Sequence, residues 1–191
     1  MIIENTNVGT LPRLGGKLGR VLAMGGGYLG NSGGTSFAGA GDIDGDGDDD
    51  LMFRNTTSGY TFCWVIQDGT LSEFTQVDGA ASLSSVYEGR GMADANGDGK
   101  DDLFWRNSTT GALYCWYMDG TNQLGGGLVG YNPGRGVDVA ALEDIDGDGT
   151  TDILWKAVSG LTIYGWILDD IAFESGGVVR TLPEGSMVFA P

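Results

Sequence analysis

Asp42-Ile43-Asp44-Gly45-Asp46-Gly47-Asp48-Asp49-Asp50 is the stretch whose reading decides the fold, because the chain writes it again twice. The second copy is Asp94-Ala95-Asn96-Gly97-Asp98-Gly99-Lys100-Asp101-Asp102, and the third is Asp144-Ile145-Asp146-Gly147-Asp148-Gly149-Thr150-Thr151-Asp152. All three fit D-x-[DN]-G-D-G-x-x-D, and they start 52 and then 50 residues apart. Self-similarity at a fixed interval of this size marks a repeat protein.

The loop chemistry predicts calcium. Calcium takes six to eight oxygen ligands at about 2.3–2.6 Å, mostly carboxylates and carbonyls. Oxygen side chains at alternate positions of a tight loop point at one centre. Positions 1, 3 and 5 are Asp42, Asp44 and Asp46, then Asp94, Asn96 and Asp98, then Asp144, Asp146 and Asp148. Position 7 (Asp48, Lys100, Thr150) is expected to give a backbone carbonyl, which leaves its identity free; a lysine there supports that reading. Position 9 closes the site with a carboxylate, Asp50, Asp102 or Asp152. The paired glycines permit the positive φ such a turn needs. An EF-hand is excluded: its loop ends on a glutamate at position 12, between helices. Here position 12 is Phe53, Trp105 or Trp155, within strand-forming segments. The chain has no histidine, so the metal is a hard cation, and about three calcium ions per chain are expected. Acidic turns without metal are the alternative, but so many neighbouring carboxylates repel one another without a cation.

A chain of 191 residues is expected to form one domain with a real core. It has 36 glycines, few helix formers and dense turn signals, which predicts an all-β class. Net charge is −16, and 14 of the 26 acidic residues lie in the three loops. Three bound calcium ions would bring that to about −10. Such a surface disfavours nucleic acid and anionic membrane. No apolar run is long enough for membrane insertion. The opening Met1-Ile2-Ile3-Glu4-Asn5-Thr6 lacks the basic and apolar regions of a signal peptide, which fits a leader already removed or a fragment. Extracellular calcium still favours an extracellular or cell-surface setting. Cys63 and Cys115 each follow their loop start by 21 residues. Equivalent positions on stacked repeats lie roughly 10 Å apart, beyond disulfide reach, so both are read as buried free thiols.

Each loop is followed by a strand, a turn, a second strand, another turn and a further strand. Leu51–Asn55, Leu103–Asn107 and Ile153–Lys156 match one another. Strands around 60–66, 112–118 and 161–168 follow, then 72–77, 126–131 and 176–181. Short strands at 36–39, 87–92 and 137–142 lead into the loops. Four strands per ~50 residues predict a β-propeller, or a propeller segment, of four-stranded blades carrying Asp-rich calcium loops. The expected division is a partial N-terminal blade at 1–35, repeats at 36–86, 87–136 and 137–185, and a closing strand at 186–191. The five tryptophans occupy only two repeat positions and read as blade-to-blade core. Gly19–Met24 aligns with an outer strand and Ser186–Ala190 with the strand before a fourth loop; the two pieces could form a composite blade.

The combined pattern, from the nine-residue loop through [LI]-x-[FW]-[RK]-N to C-W-x-x-D-G, resembles the FG-GAP/VCBS-type repeats over about residues 36–191. Such repeats build the propeller heads of integrin α chains and of many secreted bacterial and fungal proteins, some of them lectins. The resemblance implies calcium in each complete loop, at the positions named above. Two departures stand out: family propellers usually have about seven blades, and Ala157 replaces the asparagine of the other copies. The implied role is a calcium-binding scaffold for adhesion, with a glycan or a protein as partner. Alternatives are a lectin proper, with Tyr28, Tyr87 or Tyr131 stacking on sugars, and a self-assembling subunit. Without histidine, Ser-His-Asp and Cys-His catalysis is out, and the best carboxylates are committed to metal, so an enzyme is not expected. A homo-oligomer is expected, favoured as a dimer: two chains bring six full blades, within the usual propeller range.

Overall fold

The computed structural model describes residues 34–134, 136–158 and 162–181. Residues 1–33 and 182–191, which hold nearly all of the expected N-terminal piece at 1–35 with Tyr28 and all of the closing strand at 186–191, lie outside the described residues. Twelve strands are present within that range: β1 (Thr35–Gly41), β2 (Asp50–Asn55), β3 (Thr61–Gln67), β4 (Thr70–Gln76), β5 (Tyr87–Ala93), β6 (Asp102–Asn107), β7 (Ala112–Asp119), β8 (Asn122–Tyr131), β9 (Val137–Glu143), β10 (Asp152–Ala157), β11 (Thr162–Asp169) and β12 (Ala172–Thr181). They form three antiparallel four-stranded sheets, each in sequence order, β1–β4, β5–β8 and β9–β12. The acidic loop always joins the first strand of a sheet to the second. The expected all-β class and strand order are present, with most strands a residue or more longer than their sequence patterns.

Local chemistry explains the corners. Asp68 and Gly69 join β3 to β4 with φ of 51° and 72°. Two successive positive φ values give the turn whose twist matches the flanking strands. Asn55 and Asn107 end the second strands. Asn55 Oδ1 accepts the amides of Thr57 and Ser58 at 2.9 and 2.8 Å, and Asn107 Oδ1 those of Thr109 and Thr110 at 2.9 and 3.0 Å. An asparagine in this role holds the turn by mimicking backbone; Ala157 has no group for it.

The sheets stack face to face in chain order. Met52, Cys63 and Val65 of the first sheet meet Leu103, Trp105 and Met118 of the second. Phe104, Leu113 and Cys115 on the other face of the second meet Ile153, Trp155 and Leu168 of the third. The tryptophan positions therefore sit on the face that packs against the preceding repeat. Trp105–Trp116 and Trp155–Trp166 are edge-to-face pairs with centroids 5.3 and 5.0 Å apart, a favoured arrangement for buried rings. Cys63 and Cys115 are free, buried, and sit in different interfaces; burial pushes both thiols upward in pKa. The first strands of the sheets run close together: a Cβ on Gly89 would lie 2.3 Å from the Ala38 backbone. Only a residue without a side chain allows that approach.

Candidate metal centre

Each acidic loop is wound round its first aspartate. Asp42 Oδ1 accepts the amides of Gly45 and Asp46 at 2.7 and 3.1 Å, and Oδ2 that of Gly47 at 2.7 Å. Asp94 repeats the pattern with Gly97, Asp98 and Gly99 at 2.7, 3.2 and 2.8 Å. Asp144 accepts Gly147 and Gly149 at 2.7 and 3.1 Å. These amides face inward because both glycines of each loop take positive φ, from 73° to 94°. Position 3 accepts from position 5: Asp44 from Asp46 at 3.1 Å, Asn96 from Asp98 at 2.9 Å, Asp146 from Asp148 at 3.2 Å. Asn96 thus replaces an aspartate without altering the hydrogen bonding.

Position 9 is different. Asp50, Asp102 and Asp152 are fully buried. One oxygen of each accepts the amide at loop position 2: Ile43 at 3.1 Å, Ala95 at 3.1 Å, Ile145 at 2.8 Å. The other accepts an amide from the third strand of the sheet: Ile66 at 2.8 Å, Met118 at 2.9 Å, Leu168 at 2.9 Å. The carboxylate therefore staples loop to sheet. Burial pushes the Asp50 and Asp102 carboxyls from 3.8 up to about 7, against the lowering effect of those amide bonds.

The structure brings positions 1, 3 and 9 together. Carboxylate oxygens of Asp42, Asp44 and Asp50 lie within 4.8 Å of one another, as do those of Asp144, Asp146 and Asp152. Such a cluster can hold a metal ion. The middle loop has Asp94, Asn96 and Asp102 at these positions, with one carboxylate fewer. Position 5 braces the loop: Asp46, Asp98 and Asp148 accept the position 7 amides of Asp48, Lys100 and Thr150 at 2.8, 2.9 and 2.7 Å. Position 7 side chains turn to the corner of the sheet. Asp48 accepts from the Gly69 amide at 3.2 Å and Lys100 pairs with Asp119, while the Thr150 hydroxyl lies 3.4 Å from the Leu168 carbonyl and donates to Asp148 Oδ1 at 2.9 Å.

Sequence reasoning missed position 8. The Asp101 amide donates to the Asp42 carbonyl at 2.7 Å, and Asp101 Oδ2 accepts the Asp42 amide at 2.9 Å. Thr151 Oγ1 donates to the Asp94 carbonyl at 2.6 Å. Both contacts join one loop to the first residue of the loop before it. Of the tyrosines singled out for sugar stacking, Tyr87 packs against Tyr114 at 5.8 Å, whereas Tyr131 is exposed.

Three four-stranded sheets in series, each with a glycine-aspartate loop at the same corner, define a repeat protein of the FG-GAP type. The chain belongs to the FG-GAP-like repeat family, whose model matches residues 42–105 and again 94–155. Each match runs from the start of one acidic loop to the tryptophan strand after the next. Among curated proteins, none matches the chain. Among the described residues, no helix is long and apolar enough to cross a membrane.

Proposed function

We propose that the chain is a calcium-stabilised scaffold of the β-propeller type that serves as an extracellular binding or adhesion module. The observation that carries this is the convergence of the position 1, 3 and 9 carboxylates within 4.8 Å. That spacing suits a cation held at about 2.3–2.6 Å from each oxygen. The donors are all hard oxygen, as calcium prefers. Asp50, Asp102 and Asp152 have acceptor capacity left, since a carboxylate offers about four lone-pair sites. The position 7 carbonyls of Asp48, Lys100 and Thr150 would add to the shell, as would the Asp46, Asp98 and Asp148 carboxylates. In the middle loop Asn96 would supply a neutral oxygen. The ions would be structural, neutralising clustered charge and coupling folding to metal. Stacked sheets whose first strands run side by side support a propeller arrangement.

The partner is a glycan or a protein. The net charge of −16 argues against nucleic acid and anionic membrane. Tyr131, exposed at the end of β8, is the aromatic a sugar ring could stack on. Thermal melting in calcium, in magnesium and in chelator tests the scaffold role. Each occupied site adds about 2.7 kcal/mol at a hundredfold excess of ion over Kd. Calcium should raise the melting temperature well above the chelator value, and magnesium should not match it. Coincident curves in all three buffers would sink the reading.

A second reading, self-association, has its own observation. Val77 and Val129 occupy one repeat position and are 1% and 6% exposed under the next sheet, whereas Val179 at the same position is 63% exposed. On the opposite side Phe37, Phe53 and Trp64 form a partly buried aromatic cluster on the first sheet. These two faces are the pair that meets twice within the chain. A second copy could therefore dock head to tail and give a dimer of six blades. Light scattering at micromolar concentration decides it; a single species at 19.9 kDa rules the dimer out.

A further inference from the structure

We propose that the metal sites of the first and second loops are built across two repeats, with Asp101 and Thr151 acting as positioning residues for the loop before their own. The inference rests on the calcium reading above and concerns how those sites are held. Position 1 is the hub of each loop, since its carboxylate takes the inward amides. The neighbouring repeat holds its backbone from outside. Asp101 clamps both the amide and the carbonyl of Asp42. Thr151, 3% exposed, donates its hydroxyl to the Asp94 carbonyl. The loops themselves touch: a Cβ on Gly45 would lie 3.6 Å from the Lys100 stem, and one on Gly97 3.5 Å from the Gly149 carbonyl. The Gly120 amide also donates to the Ile43 carbonyl at 2.8 Å, so the second sheet grips the first loop at two successive residues.

The chemistry of position 8 varies while its function stays. A carboxylate does the work at one junction and a hydroxyl at the other, both aimed at the backbone of position 1. Ligand placement by such outer partners is worth 10–100-fold in metal affinity in other sites. Filling one loop therefore depends on how well the next repeat is seated, and the row of loops behaves as a coupled series.

The test is a calcium titration of the full chain, labelled with 15N, in which the glycine amides report each loop separately. Thr151→Val keeps the shape and removes the hydroxyl. It should raise the calcium midpoint read at Gly97 and Gly99 by about tenfold, and Thr151→Ser should restore it. At the other junction Asp101→Ala should shift Gly45 and Gly47, while Asp101→Asn, which keeps an acceptor, should stay near the unmodified chain. That second junction serves as the test if Thr151→Val does not fold. Midpoints at the preceding loop that stay put in both Thr151→Val and Asp101→Ala, while calcium still binds, overturn the coupling alone. No response to calcium at any glycine overturns the calcium reading and the coupling with it.

Discussion

The two ends of each acidic loop carry the same side chain in different media. Positions 1, 3 and 5 lie towards solvent, and their side-chain oxygens accept hydrogen bonds from their own loop. Position 9 is fully buried and bonds an amide of the loop and an amide of a strand 16 residues further on. Three open-end side chains per loop, all aspartate except Asn96, can be spent on a ligand. The fourth is part of the wall. The fold therefore depends on position 9 with or without metal, whereas position 1 orders only its own loop.

The comparison breaks first at Asp102. Asp102→Ala removes the acceptor from the Ala95 and Met118 amides, both buried. Leaving two such groups unsatisfied costs roughly 2–6 kcal/mol, a large share of the 5–15 kcal/mol typical of a domain. Melting in chelator should fall steeply for Asp102→Ala and little for Asp98→Ala. Equal melting of the two variants would mean that the buried staple has no special weight.

Acidity gives a second handle. Asp50 and Asp102 titrate near 7 when folded without metal, because burial opposes their charge, and near 3.8 when unfolded. Between about pH 4 and 7 the folded chain thus holds protons that the unfolded chain has released. Stability without metal is fully present at the acid end of this window and declines as pH rises through 7. Calcium needs the ionised form, so its affinity should climb over the same range. Melting in chelator at pH 5 and pH 8 checks the sign: a chain more stable at pH 8 would contradict it.

The smallest effect is expected at Lys100. Its side chain pairs with Asp119, and its proposed contribution to the ion is a backbone carbonyl. Lys100→Ala should change calcium affinity at the middle loop far less than Asp102→Ala, as read by titration. Comparable losses would show that position 7 matters through its side chain.

Much of this was legible in the sequence. The loop pattern and the strand segments between copies located the sheets, and the tryptophan register located the interfaces. The staple was not, although Asp50-Leu51-Met52-Phe53 carried a hint: a carboxylate abutting an apolar strand becomes buried and needs donors. Which donors it found, Ile43 and Ile66, depends on strand pairing that no local pattern encodes. Position 8 was illegible for another reason. Asp101 and Thr151 share no residue type, only an oxygen at the right place, and their partners lie 59 and 57 residues away. Asn55 and Asn107 were visible as a repeated identity, but their turn-holding role came from the geometry.

The central claim, that these loops are calcium sites, is tested most directly by isothermal titration of calcium into chelator-stripped chain. The account predicts a stoichiometry of about three ions per chain, one for each loop. A stoichiometry of zero or one would contradict it.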